Sequence, residues 1–103
     1  MATGLFVVRA SIAKEREAAF NAWYDREHVP QVLRYPGAVS GKRYRRLAGD
    51  DRFEYMAIYQ FESEAILQQF LQSEALKELR AEYDRNFGAV SERIGHGWVQ
   101  IFP

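Results

Sequence analysis

The order of strand-like and helix-like segments places the strongest constraint on how this chain can fold. Apolar residues alternate or run continuously over four short stretches, and they recur with helical spacing in two longer ones. In chain order we predict strand, helix, strand, strand, helix and strand over residues 5–12, 13–28, 38–47, 52–61, 63–87 and 90–102. A chain with this order can build one antiparallel sheet and pack its helices against that sheet.

The strand predictions depend on apolar density and on turn signals. The first segment is rich in Phe, Val and Ile and is too short for a stable helix. In the third strand, aromatic side chains alternate with others at the period of a strand. The sequence Gly49-Asp50-Asp51 predicts the hairpin loop between the second and third strands. In the last strand, Gly95 and Gly97 predict a bulge or irregularity.

Both helices show apolar stripes with start or stop signals. Pro30 has no N–H and its ring clashes with the preceding turn, so we expect the first helix to kink or stop near His28. Proline also disfavours helical geometry at the residue before it, so we expect Val29 to be extended. Ser63 is a predicted N-cap of the second helix, and Ser73 is a predicted restart within it.

These elements predict an α+β fold of ferredoxin-like topology, β-α-β-β-α-β, with both helices on one face of a four-stranded antiparallel sheet. We expect residues 1–103 to form one such domain, because about 100 residues suffice for one core. The predicted strands are apolar on both faces, whereas a sheet open to water should be polar on one. We therefore expect a homodimer in which two sheets pack face to face.

Composition excludes several function classes. Lys and Arg number 14 and so do Asp and Glu, so no positive excess favours nucleic acid or an anionic membrane surface. The chain has no cysteine, which excludes disulfides and thiolate chemistry. No apolar run reaches the length of a membrane helix, and no leader-like segment opens the chain. We expect a cytoplasmic protein without nucleic-acid or membrane partners.

One motif resembles a known superfamily. The residues Trp23-Tyr24-x-x-x-His28-x-Pro30, followed by Pro36-Gly37, resemble the dimeric α+β barrel superfamily, in particular its small EthD-like members. The resemblance extends over essentially the whole chain. It implies a homodimeric barrel with a small-molecule pocket in each subunit, between the sheet and the helices. Its members include cofactor-independent oxygenases, isomerases, cyclases, decarboxylases and haem-degrading enzymes, so fold alone does not choose the reaction.

Tyr24 and His28 are the candidate catalytic residues. They are four positions apart, so they share one helix face at the end of an apolar stripe. Histidine can shuttle a proton near neutral pH, and the phenol of Tyr24 can orient a substrate or donate a hydrogen bond. The alternative is structural: His28 satisfies backbone carbonyls near Pro30, and Tyr24 fills the core. Glu27 is a weaker candidate for a second acid or base.

Five further residues are candidates for substrate binding, and each has a structural alternative. They are Trp23, Arg43, Tyr55, Tyr59 and His96. The tryptophan should point away from His28 on an ideal helix, which leaves it as a packing residue or a pocket wall. The arginine can clamp a carboxylate or phenolate, or form an edge salt bridge. The two tyrosines share a strand face on which small-beside-large spacing leaves room for a ligand, and the second histidine lies between two glycines.

No cofactor or metal motif is present. The histidines lack ligand spacing, and no GxGxxG, Walker or serine-elbow motif occurs. From the resemblance, the Tyr24–His28 pair and the aromatic-rich composition, we expect a small cofactor-independent enzyme acting on a small hydrophobic or aromatic enolisable compound, with His28 as general acid/base. The alternatives are a non-catalytic small-ligand-binding or stress-associated dimeric protein and, more weakly, a haem protein, which would need an axial histidine.

Overall fold

A computed structural model describes residues 2–103 and has the predicted order of strands and helices. Four strands and four α-helices are named here in chain order: β1 Gly4–Ile12, α1 Glu17–Trp23, α2 Val29–Val32, β2 Ala38–Arg45, β3 Tyr55–Phe61, α3 Glu64–Leu71, α4 Glu74–Phe87 and β4 Ser91–Val99. The prediction of an α+β ferredoxin-like fold is confirmed. Three strands are shorter than predicted: β2 and β4 end earlier, and β3 begins later.

The strands form one antiparallel sheet in the order β2-β3-β1-β4. Alternate residues of the two central strands, such as Phe6 and Tyr59, are buried against the helices. The opposite face, called here the outer face, presents Val7, Ile58 and Trp98 at its centre and along β4. Trp98 is 57% exposed. Apolar groups therefore occupy both faces of the sheet, as the sequence predicts.

The predicted irregularity in the last strand is wrong. Strand β4 pairs with β1 without interruption from Ser91 to Val99, and the bulge lies instead in β2, between Ala38 and Ser40. Gly95 faces the helices, where a Cβ atom would lie 3.0 Å from the ring of Phe6. Its missing side chain makes room for a core aromatic residue, so here glycine permits close packing and the ladder stays regular.

Around Pro30, the prediction of an extended Val29 is wrong, and the helix does not stop near His28. Residues Tyr24–His28 form a π-helical stretch, and the chain continues into α2 with Val29 at φ −60° and ψ −48°. The N–H of Val29 bonds to the carbonyl of Tyr24, which is an i to i+5 bond. Proline lies in the first turn of α2, where its missing N–H costs little, so the helix widens and does not stop. This π-helical stretch is the local feature that positions the site.

The two predicted serine caps are confirmed. Ser63 Oγ accepts a hydrogen bond of 3.2 Å from the N–H of Ile66 at the start of α3. Ser73 Oγ accepts one of 3.1 Å from the N–H of Leu76 at the start of α4. Each cap satisfies a backbone donor that the first helical turn leaves free. The second cap also sets the start of the helix that closes the cavity described below.

Between residues 2 and 103, no helix combines the length and the apolar character needed to cross a bilayer.

Candidate functional site

A cavity of about 50 Å³ lies between the helix-facing side of the sheet, the π-helical stretch and α4. Strands, π-helical stretch, α2 and α4 all contribute side chains, most of them apolar or aromatic. The lining residues are Phe6, Val8, Tyr24, His28, Val32, Tyr59, Leu76, Leu79, Arg80, Tyr83, Arg93 and Gly95. Three of the predicted site residues, Tyr24, His28 and Tyr59, meet here.

The π-helical stretch sets the orientation of His28. Tyr24 lies edge-on to its imidazole with the ring centroids 4.9 Å apart, as expected for two residues on one helix face. Trp23 stacks on the same imidazole at 4.5 Å and 22°. The expectation that Trp23 points away from His28 is wrong, because it assumed 3.6 residues per turn and the wider π turn brings positions i and i+5 together. Trp23 lies outside the cavity lining and supports the imidazole from its face.

Two buried polar atoms at the cavity have no hydrogen-bond partner among residues 2–103. They are Nδ1 of His28 and the hydroxyl oxygen of Tyr59. The two residues are 8% and 1% exposed, and both line the cavity. A buried polar group without a partner costs on the order of 1 to 3 kcal/mol, so native structures seldom keep one without a reason. Because both residues line the cavity, a polar ligand bound there is a candidate partner for each of these atoms.

Burial keeps His28 and the tyrosines Tyr24 and Tyr59 uncharged near neutral pH. Burial, together with the smaller effect of the positive charges of Arg93 and Arg43, lowers the pKa of His28 to about 4. Burial also raises the pKa of both Tyr24 and Tyr59 above the usual tyrosine value. Near neutral pH the cavity therefore holds an unprotonated imidazole, which can accept a proton, and protonated phenols, which can donate hydrogen bonds.

Arg93, Tyr83 and Ser91 form a part of the site that sequence reasoning missed. The Arg93 guanidinium lies 3.9 Å from the centroid of the Tyr83 ring and donates to Asp84 Oδ1 at 2.7 Å. Ser91 Oγ donates its single proton to the Ser11 carbonyl, so the Tyr83 hydroxyl is the donor in its 2.6 Å bond to Ser91. Arg93 is two residues from Gly95 in β4, so strand alternation places both on the same face of the sheet. That alternation was the sequence signal that could have identified Arg93.

Arg43 and Tyr55 lie outside this cavity. Arg43 covers the face of the Tyr24 ring at 4.5 Å and donates to Asp25 at 2.9 Å and to Asn21 at 2.8 Å. The Tyr55 hydroxyl donates to Glu17 at 2.5 Å. Arg43 thus packs on the ring of Tyr24 without lining the cavity itself. Substrate binding by Arg43 and Tyr55 stays a prediction.

His96 and Glu27 also lie away from the cavity. His96 pairs with Val7 on the outer face, and its ring centroid is 6.2 Å from that of Trp98. The glycines on either side of it face the helices, so the alternation of the strand turns His96 in the opposite direction. Glu27 is exposed on the π-helical stretch. Substrate binding by His96 also stays a prediction.

No group of three or more His, Cys, Asp or Glu side chains that could hold a metal ion occurs within the described range 2–103.

Comparison with known proteins gives one family match. The model of the family described as "Domain of unknown function (DUF4286)" matches residues 3–91. No curated protein matches the chain in sequence.

Several solved structures share the fold over nearly their whole length. An EthD (ethyl tert-butyl ether D) family protein from Bacillus halodurans is 20% identical, with a TM-score of 0.66 and 93% of this chain and 97% of that chain covered. SnoaB from Streptomyces nogalater, a cofactor-independent oxygenase, is 16% identical, with a TM-score of 0.72 and 100% and 97% covered. HapK from Hahella chejuensis is 14% identical, with a TM-score of 0.68 and 100% and 93% covered. The resemblance to EthD-like and related dimeric α+β barrel proteins is confirmed.

Proposed function

This chain belongs to the DUF4286 family, which is described as a domain of unknown function, and we propose a function for it from the residues that line the cavity. It is a small cofactor-independent enzyme of the isomerase, cyclase, lyase or oxygenase type. Its substrate is a small hydrophobic or aromatic enolisable compound bound between the sheet and the helices, and His28 is the general acid/base. The observation that supports this most directly is the pair of unpartnered polar atoms, on His28 and Tyr59, at one apolar cavity.

The proposed step is removal of a proton from a carbon beside a carbonyl group. The carbon–hydrogen bond breaks, its proton passes to the neutral imidazole of His28, and its electron pair forms the enolate. The Tyr59 hydroxyl is a protonated donor for the enolate oxygen, since burial raises its pKa. The guanidinium of Arg93 adds positive charge beside the same cavity. In an isomerase the proton then returns from His28 to another carbon.

The low pKa of His28 is compatible with proton abstraction because the enolate, an anion, forms next to the imidazole. A general base works best with a pKa near the working pH, whereas the empty-cavity value is about 4. An enolate beside the imidazole favours its charged form and offsets the repulsion from Arg93 and Arg43. The pKa of His28 therefore rises as the enolate forms, which assists proton transfer in the forward direction.

The experiment is deuterium exchange in D2O, followed by NMR at the acidic carbon of acetylacetone, 2-tetralone and anthrone. We expect saturable exchange above the uncatalysed rate for at least one of these compounds, which increase in size. Leu79 lines the cavity at its half-buried edge, so Leu79→Trp should fill the space and lower the exchange at least about tenfold. The matched control is Leu47→Trp, because Leu47 is 96% exposed in a loop. Exchange unaffected by Leu79→Trp would contradict the assignment of this cavity.

A second candidate is a non-catalytic small-ligand-binding or stress-associated dimeric protein. The small volume of the cavity and the low pKa of His28 favour this alternative, because both suit binding of a neutral group without proton transfer. It predicts thermal stabilisation by a member of the same panel without any exchange, and an affinity that does not depend on the acid/base capacity of His28.

The same proposal includes a homodimeric α+β barrel made of two copies of residues 1–103. The outer face supports it, since half-buried Val7 and Ile58 and exposed Trp98 place apolar area where water would otherwise be. We also propose that the protein works in the cytoplasm, a setting with which the absence of cysteine is compatible.

The dimer is tested with Ile58→Glu, which places a charge at the centre of the outer face. We expect the wild-type protein to be dimeric at micromolar concentration and the variant to be monomeric by sedimentation, with an unchanged circular dichroism spectrum. The control Leu47→Glu makes the same kind of change on an exposed loop and should leave the dimer intact. A folded wild-type monomer at micromolar concentration would contradict the proposal.

A further inference from the structure

The lining of the cavity is unbalanced in charge. Arg80 and Arg93 contribute two guanidinium groups, and no aspartate or glutamate is among the lining residues. Asp84 pairs with Arg93 at 2.7 Å. Among residues 2–103, no carboxylate forms a salt bridge with Arg80. A net positive charge therefore lies at the cavity, and the arginine that accounts for it is Arg80.

The positive charge of Arg80 lies nearer the protein surface than the unpartnered polar atoms of His28 and Tyr59. Arg80 is exposed, whereas His28 and Tyr59 are buried. The enclosed space is about 50 Å³, whereas an apolar cavity of about 150 Å³ is known to hold benzene. Without side-chain movement, the enclosed part accepts only one end of a ligand. The remainder of that ligand lies toward the solvent edge, where Arg80 is.

From this arrangement we propose that the substrate is an enolisable carboxylic acid, with its carbonyl group at one end and its carboxylate at the other. Its carbonyl end contacts His28 and Tyr59, and its carboxylate binds Arg80 at the exposed edge. Arginine suits this role because its planar guanidinium can bind both oxygens of a carboxylate. The inference deepens the proposed function and rests on it. It adds a specificity-determining residue, Arg80, and an anionic substrate class.

The first test uses 4,6-dioxoheptanoate, which joins an acidic β-diketone methylene to a carboxylate through a short chain, and its neutral methyl ester. We expect the wild-type protein to exchange the methylene protons of the acid with a kcat/KM about threefold to tenfold higher than that for the ester. This is the discrimination expected from one partly solvated charge-assisted contact. Arg80→Gln should remove the preference by slowing the acid alone, and Arg80→Lys should keep part of it. The matched control is Arg85→Gln, because Arg85 is exposed on the same helix and does not line the cavity.

The second test measures binding without chemistry, by NMR titration with heptanoate and heptanamide, which have equal chain length. Arg80-dependent binding of heptanoate, stronger than that of heptanamide, supports the anion site even if no compound is exchanged, and in that case only the proposed catalysis fails. Equal exchange of acid and ester, or equal binding of heptanoate and heptanamide, overturns the anionic substrate class and leaves the proposed catalysis standing. An effect of Arg85→Gln equal to that of Arg80→Gln also overturns it, since general surface charge would then be the cause.

Discussion

Replacing His28 with glutamine is expected to slow deuterium exchange by about 100-fold to 10,000-fold, the usual contribution of a positioned general base. Glutamine is similar in size and polar, so it can occupy the space beside Trp23 and Tyr24, but it cannot accept a proton. The measurement is kcat/KM for whichever compound the wild-type protein exchanges fastest. Circular dichroism and sedimentation show whether the fold and the assembly are retained.

A substitution with a smaller side chain, His28→Ala, distinguishes loss of the general base from loss of the folded structure. His28→Ala should lose as much activity as His28→Gln but should recover part of it when imidazole is added, because the added base can enter the space left by the side chain. Full activity of a folded His28→Gln protein would contradict the role of His28. Strong ligand-induced stabilisation in both variants without wild-type exchange would support the binding alternative.

The second large effect concerns stability at acid pH. The pKa of His28 falls from 6.5 when exposed to about 4 when folded. Between these values the unfolded chain binds a proton that the folded chain does not, so the free energy of unfolding must fall as the pH falls. This stabilising contribution is fully present above pH 6.5 and is lost by about pH 4. A shift of this size corresponds to about 3 kcal/mol.

The measurement is urea unfolding of the wild-type protein and His28→Gln at several pH values between 8 and 4. The wild-type protein should lose about 3 kcal/mol more than the variant over this range, because glutamine does not titrate. Glu17 and Asp51, whose pKa values are lowered in the folded state, contribute to both proteins and cancel in the difference. Parallel curves for the two proteins would show that His28 is not held in its neutral form.

The fold could be predicted from the sequence because its signals are local. Strand periodicity is read within one segment, and Ser63 and Ser73 cap helices that begin within three residues of them. The pairing of Tyr24 with His28 was predictable for the same reason, since both belong to one helical turn. That Tyr59 shares one face of β3 with Ala57 also followed from alternation within the strand.

The rest of the site depends on contacts between distant segments. Arg80, Tyr83 and Arg93 reach the cavity from α4 and β4 only because those elements pack beside the π-helical stretch. Which strand face turns inward depends on register, and a shift of one residue exchanges the faces. The contact between Trp23 and His28 was missed for a different reason, because a π-helical turn is rare and the sequence pattern was assigned to an α-helix.

The contact between Trp23 and His28 also has an optical consequence. The indole and imidazole rings are 4.5 Å apart and nearly parallel, and a protonated imidazole at such a distance quenches indole fluorescence far more than a neutral one does. The other tryptophan, Trp98, lies in the outer face of the sheet and is 57% exposed. In a Trp98→Phe background the emission of Trp23 would therefore report the charge on His28 directly, both as the pH is lowered and as a ligand enters the cavity.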